Sequence, residues 1–105
     1  MSKLEALKSM PTPKVAVIIP AYNEEANIWR CLKSLIDQDY PNYSVTVIDD
    51  QSLDRTREII LEMQKAYPEK IRLREYGKVG PGKARNLAAY EQDAEILAFT
   101  DADCY

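Results

Sequence analysis

Ile96-Leu97-Ala98-Phe99-Thr100-Asp101-Ala102-Asp103-Cys104-Tyr105 begins as an uncharged run and stops at two carboxylates. Five successive residues without a charge read as a strand buried on both faces, as a parallel sheet covered by helices requires. In open α/β sheets ligands sit beyond the carboxyl ends of the strands. Asp101 and Asp103, one residue apart, are therefore expected to project together where a hard divalent cation binds. Among eight aspartates such a spacing arises readily by chance, and a solvated strand end is its ordinary explanation. Its place at the end of a strand is what singles it out.

The segments before it repeat the pattern. Val15-Ala16-Val17-Ile18-Ile19 is uncharged and rich in β-branched residues, and Pro20 bounds it, so it reads as a first buried strand. Asn23 is placed to cap the next helix, with Glu24 and Glu25 in its first turn, where the helix dipole favours anions. Ile28, Cys31, Leu32, Leu35 and Ile36 then recur at helical spacing as one apolar face, with Cys31 in the core and Trp29 off that face. Val45-Thr46-Val47-Ile48 reads as a second buried strand and runs straight into Asp49-Asp50. Adjacent carboxylates at the end of a buried strand repel each other and need a partner such as a base or sugar donor, an arginine or a metal. Ser52 or Asp54 is suited to cap a second helix, on which Thr56, Ile59, Ile60, Met63 and Tyr67 repeat. Ile71-Arg72-Leu73-Arg74 alternates apolar and charged, as a half-exposed edge strand does.

All three glycines fall in Tyr76-Gly77-Lys78-Val79-Gly80-Pro81-Gly82-Lys83-Ala84-Arg85-Asn86, beside Lys78, Lys83 and Arg85. Such a loop suits anions, because glycines let backbone amides approach a phosphate and a helix starting near Gly82 adds its positive end. A plain surface loop has the same composition. Its spacing is neither that of a P-loop nor that of a dinucleotide fingerprint. Ala84, Leu87 and Ala88 are expected to pack the helix that follows. The order is β-α-β-α-β-α-β with short connections, which gives an α/β sheet, mostly parallel and flanked by helices.

The 105 residues, 46% hydrophobic and 30% charged, suit one domain. Residues 1–13 are set apart as a leader, since Pro11 and Pro13 break any helix before the first strand, and 14–105 form the domain. A net charge of −3 disfavours a nucleic-acid backbone as partner. Two cysteines, with neither metal-ligand spacing nor the density of a disulfide scaffold, fit a reducing compartment. A cytoplasmic location is expected, and for the intact protein a peripheral place at the cytoplasmic face of the membrane.

Four motifs in order resemble the amino-terminal half of the family 2 glycosyltransferases, enzymes of the GT-A fold that use nucleotide-diphosphate sugars. They are Val17-Ile18-Ile19-Pro20-Ala21-Tyr22-Asn23-Glu24-Glu25, Val47-Ile48-Asp49-Asp50-Gln51-Ser52-Leu53-Asp54-Arg55-Thr56, Gly82-Lys83-Ala84-Arg85-Asn86 and Phe99-Thr100-Asp101-Ala102-Asp103. The resemblance implies a Rossmann-like nucleotide-binding half of a GT-A fold and a UDP- or GDP-sugar as donor. Pro20, Ala21 and Tyr22 would line the base with Glu24 nearby, Asp50 would bond the base imide, and Asp49 would support that loop. Lys83, Arg85 and Asn86 would face the nucleotide across the cleft. Asp101 and Asp103 would be the D-x-D motif, with Asp103 on Mg²⁺ or Mn²⁺ and Asp101 toward the ribose or the metal's water shell. Gln51 departs from the glycine commonest at its position, in a turn that can require a positive φ.

Family members continue past the D-x-D into an acceptor-binding half that carries the general base. The resemblance therefore implies inverting transfer by the intact enzyme to an unknown acceptor, no catalytic base within these residues, no turnover by this chain alone, and self-association through a cleft side left apolar. A nucleotide-binding module without transferase activity is the alternative reading. A receiver-type signalling domain fits less well, because its third strand would end in aspartate where this chain has Arg74-Glu75. A sugar nucleotidyltransferase would carry its glycine-rich loop after the first strand, where this chain has Pro20-Ala21-Tyr22-Asn23.

Overall fold

The computed structural model describes residues 13–38, 40–77 and 79–102. Most of the leader, with Asp39, Lys78, Asp103, Cys104 and Tyr105, lies outside the described residues. Four strands, β1 (Val15–Ala21), β2 (Tyr43–Asp49), β3 (Ile71–Arg74) and β4 (Ile96–Phe99), alternate with three helices, α1 (Ile28–Ile36), α2 (Thr56–Ala66) and α3 (Pro81–Tyr90). The sheet is wholly parallel in the order β3-β2-β1-β4. β1 and β2 stay in register from Val15↔Tyr43 to Ala21↔Asp49, whereas β1 and β4 pair only from Val15↔Ile96 to Ile18↔Phe99.

The chain winds outward from β1 through β2 to β3, then crosses back to lay β4 on the other side of β1. Right-handed crossovers in both directions put the helices of the two windings on opposite faces. Strand alternation supplies each face with its own apolar set. Ile19, Ala21, Val45, Val47 and Ile71 are buried with Ile28, Cys31 and Leu32 of α1 and Ile60 and Met63 of α2. Ile18 and Ile48 point the other way, onto Ala84 and Ala88 of α3, with Tyr76 and Val79 alongside.

The structure departs from the sequence reading at β1, β4 and α3. β1 runs on through Pro20 to Ala21. The Ile18 carbonyl accepts the Thr100 N–H at 3.2 Å on the β4 side, and Pro20, two residues on, presents its backbone to that same side after β4 has ended. A proline there costs no ladder bond. β4 is not buried on both faces: Ile96, Leu97 and Phe99 are 46%, 41% and 52% exposed. Among the described residues it is an edge strand, and α3 packs over β1 and β2 rather than over it. Of the α3 face, Ala84 and Ala88 are buried and Leu87 only partly so. Trp29, off the apolar face of α1 as expected, is 54% exposed. No helix among the described residues is long and apolar enough to cross a membrane.

Candidate nucleotide-sugar site

Two neighbouring strands that leave a sheet in opposite senses part at their carboxyl ends and leave a crevice. Here β1 turns toward β2 and β4 lies on its other side, and the gap opens just past the Thr100–Ile18 hydrogen bond. Pro20, Arg85, Phe99, Thr100 and Asp101 line a crevice of about 240 Å³ there. Ala102 is 3% exposed and belongs to the α1-side core, and the Cys31 thiol donates to the Asp101 carbonyl at 3.8 Å. That buried alanine anchors the turn and leaves the Asp101 side chain exposed. A residue larger than alanine between the two aspartates would have to displace that packing. The expected partner of Asp101 at position 103 lies outside the described residues.

The loops after β1 and β2 form the adjoining part. Pro20, Ala21, Tyr22, Glu24, Ile48, Asp50 and Ala84 bound a cleft of about 270 Å³, and Tyr22, Asp50, Gln51, Leu53 and Gly80 bound another of about 490 Å³. Asp50 and Tyr22 belong to both, and Pro20 joins the first of them to the β1/β4 crevice. Arg85 reaches that crevice and, with Gly82, Asn86 and Phe99, borders a further hollow of about 320 Å³. Lys83 is exposed and lines none of these four. α3 starts at Pro81, and Gly80 before it holds φ 86, a value that glycine alone adopts freely.

Asp49 does not face the clefts. It is 2% exposed, and its carboxylate accepts from the Ser52 hydroxyl three residues on, so the hydrogen-bond partner that Asp49 finds is a hydroxyl of its own loop. The Asp50 N–H meanwhile donates to the Ala21 carbonyl at 2.9 Å, which continues the β1–β2 ladder one step beyond the strands.

Asn23, Ser52 and Asp54 look like helix caps in the sequence, yet together they clasp the two loops. The Asn23 N–H donates to Ser52 Oγ at 2.9 Å, and the Leu53 N–H returns a bond to Asn23 Oδ1 at 2.8 Å. The Glu24 N–H donates to Thr56 Oγ1 at 2.8 Å, the Glu25 N–H to Asp54 Oδ2 at 3.2 Å, and the Arg55 N–H to Glu25 Oε2 at 3.0 Å. Asn23 is therefore no N-cap, and α1 starts five residues later, at Ile28, after a turn in which Asn27 and Ile28 both donate to the Glu24 carbonyl. Glu24 and Glu25 precede the helix because their amides are taken by the other loop. Burial opposes ionisation of Asp54, but hydrogen bonds from the Thr56 hydroxyl and N–H and from the Glu25 N–H outweigh it and hold the carboxyl below its ordinary range. Asp54 Oδ1 also takes the Thr56 N–H at 2.9 Å, which retains part of the expected capping role. Asn23 at φ 51 and Gln51 at φ 57 hold left-handed turns on either side of the clasp.

A doubly wound parallel sheet whose crevice and clefts gather at one carboxyl edge defines the Rossmann-like class of nucleotide-binding α/β domains. The family model described as glycosyl transferase family 2 matches residues 16–105, and this chain belongs to that family. It is 43% identical over 94 residues to the glycosyltransferase AglE of Haloferax volcanii, an alignment that takes in 88% of this chain and 31% of that protein. Among solved structures, the mannosyltransferase PcManGT of Pyrobaculum calidifontis, in complex with GDP-Man and Mn²⁺, superposes with a TM-score of 0.77 at 30% identity over 94% of this chain and 32% of that one. The Staphylococcus aureus TarS 1–349 complex with UDP-GlcNAc gives 0.68 at 38% identity, over 86% of this chain and 26% of the other. The chain thus spans about a third or less of the length of these relatives, and its sheet is that of their GT-A fold.

Proposed function

We propose that this chain is the donor-binding part of a glycosyltransferase that takes a sugar from a nucleotide-diphosphate sugar. The observation that carries the reading is the adjacency, through Pro20, of the Asp50 cleft and the Asp101 crevice on one sheet edge. A base and a diphosphate are joined through ribose, and a ligand of that shape needs two such adjoining hollows. Relatives solved with GDP-Man and with UDP-GlcNAc support the same ligand class.

In this reading Pro20, Ala21 and Tyr22 face the base, Glu24 stands beside them, and Asp50 accepts the base imide N–H. A carboxylate acceptor in a half-buried cleft makes a charge-assisted bond of that kind. Asp49, tied to Ser52, keeps the loop in place. Arg85 and Asn86, with Lys83 on the first turn of α3, offer cationic and polar groups to the nucleotide from across the cleft. Among the described residues, the groups at the crevice that could ligate a cation are oxygen donors, the exposed Asp101 carboxylate and Thr100, with no histidine anywhere in the chain and the Cys31 thiol buried behind the turn. Among the described residues no three ligating side chains form a cage. One or two carboxylates without a cage suit a hard cation that completes its shell with phosphate and water. Asp101, together with Asp103, would hold Mg²⁺ or Mn²⁺. When bound, the ion neutralises charge on the departing diphosphate. Transfer would be inverting, with the base for the acceptor hydroxyl supplied by residues beyond this chain.

Calorimetry with UDP and with GDP, each in Mn²⁺ and in EDTA, tests the reading. Binding that weakens or disappears in EDTA is expected. Equal affinity in EDTA removes the metal, and no binding of either nucleotide removes the donor site.

A further inference from the structure

Gln51 carries a side chain where its backbone disfavours one. At φ 57 it occupies the left-handed region that glycine enters freely and a residue with a Cβ does not. Asn23 shares that conformation, but there the side chain is used locally, accepting the Leu53 N–H. The Gln51 amide makes no hydrogen bond among the described residues. It is exposed and forms part of the wall of the 490 Å³ cleft, next to Asp50 and opposite Gly80. Strained backbone that its surroundings hold in place is a pointer to function, and the clasp through Ser52 and Leu53 holds this turn from the residues that follow it.

The chemistry of the two neighbouring side chains is complementary. Asp50 as a carboxylate only accepts, while an amide offers two N–H donors beside its carbonyl. An imide-bearing base, uracil- or guanine-type, presents an N–H donor with a ring carbonyl next to it. Cytosine- and adenine-type bases present the reverse, a ring nitrogen acceptor next to an amino donor. Tyr22 and Leu53, 52% and 86% exposed, give the same cleft apolar surface for a flat ring. We infer that Gln51 is a specificity-determining residue that donates to the ring carbonyl beside the imide N–H held by Asp50. The inference rests on the donor-site reading above.

The test is calorimetric binding of UDP, GDP, CDP and ADP in Mn²⁺ to the 105-residue chain and to Gln51→Gly and Gln51→Glu, with thermal midpoints measured in parallel. Gln51→Gly suits the left-handed turn, so its midpoint should match or exceed the parent's. Its affinity for the preferred imide-bearing nucleotide should fall about 3- to 10-fold, the effect of one neutral hydrogen bond, with CDP and ADP unmoved. Gln51→Glu keeps the length but cannot donate, and should lose at least as much. Unchanged affinity in Gln51→Gly, or an equal loss for all four nucleotides, overturns the role of Gln51 and leaves Asp50 in place. A parent chain that binds none of the four, or prefers CDP or ADP, overturns the donor-site reading together with this inference.

Discussion

At the residue scale the decisive pair is Asp49 and Asp50, identical side chains with opposite fates one position apart. Alternation along β2 turns Asp49 inward, where it is 2% exposed, and leaves Asp50 on the rim of two clefts. A buried carboxylate is tolerable only while it is hydrogen-bonded, and the donor here is the Ser52 hydroxyl. Ser52→Ala should therefore destabilise the chain by about 1–3 kcal/mol, the cost of leaving a buried polar group unpaired, and it also frees the Asn23 N–H. Urea unfolding of Ser52→Ala beside Ser52→Thr, which keeps a hydroxyl, measures this. Equal stability for the alanine variant would show that Asp49 does not depend on Ser52. That acidic residues end two strands was legible in the sequence, because uncharged runs of this kind stop where burial stops. The clasp was not, since Asn, Ser and Asp before a helix carry the same local signature whether they cap their own helix or bond a loop 29 residues away. The turn type at Gln51 was open in the sequence, because a side chain stands where glycine is commonest, and the residue does adopt the left-handed conformation.

At the scale of elements, α3 has the thinnest apolar seat, formed mainly by Ala84 and Ala88 against Ile18 and Ile48. A polar cluster reinforces its far end: Arg74 Nε donates to Glu91 Oε2 at 2.8 Å, and the Tyr76 hydroxyl donates to Glu91 Oε1 at 2.8 Å. The Arg74 hydrogen bond holds the Glu91 carboxyl below its ordinary value, against opposing burial and with help from Tyr76. Burial, with the Glu91 hydrogen bond and charge, pushes the Tyr76 phenol up to about 12. A depressed carboxyl stabilises the fold above its unfolded value, about 4.3, and loses that contribution as pH falls. A raised phenol contributes fully below about 10 and is lost as pH climbs toward the folded value. Thermal midpoints across pH should thus decline at both ends, and Tyr76→Phe should flatten the decline above about pH 10 and, because the Tyr76 hydroxyl also helps hold Glu91 down, soften the acid limb while Arg74 keeps part of it. An unchanged alkaline limb would mean that Tyr76 does not titrate with folding. The sequence showed α3 through its alanine spacing and β3 through its alternation. It misjudged β4, because four apolar residues read alike whether helices cover them or the sheet simply ends there.

At the scale of the whole molecule, that bare edge and the open crevice have separate consequences. Among the described residues, Ile96-Leu97-Ala98-Phe99 pairs on one side alone and presents exposed apolar side chains with no lysine or proline in the strand to guard them, which is the pattern that invites another strand. Light scattering should show mass rising with concentration, and Leu97→Lys should suppress the rise; a monomer at all concentrations would refute it. Catalysis by the 105-residue chain is a different matter. Transfer needs an acceptor hydroxyl that is both positioned, which alone supplies roughly 7–11 kcal/mol of barrier reduction, and deprotonated. The crevice is lined by one described carboxylate, Asp101, which the donor reading commits to the diphosphate side. Glu25 and Asp54 are occupied by the clasp, where they accept the amides of Arg55, Glu25 and Thr56. Incubation with UDP-glucose, UDP-N-acetylglucosamine or GDP-mannose in Mn²⁺ should accordingly give no acceptor-dependent sugar release above the uncatalysed rate. Sustained turnover would place a base within these residues. Glu24 would then be the first to replace, since it lines the cleft beside Asp50 and, among the described residues, its carboxylate meets only the Asn27 amide, at 3.3 Å; loss of that turnover in Glu24→Gln with nucleotide affinity retained would identify it.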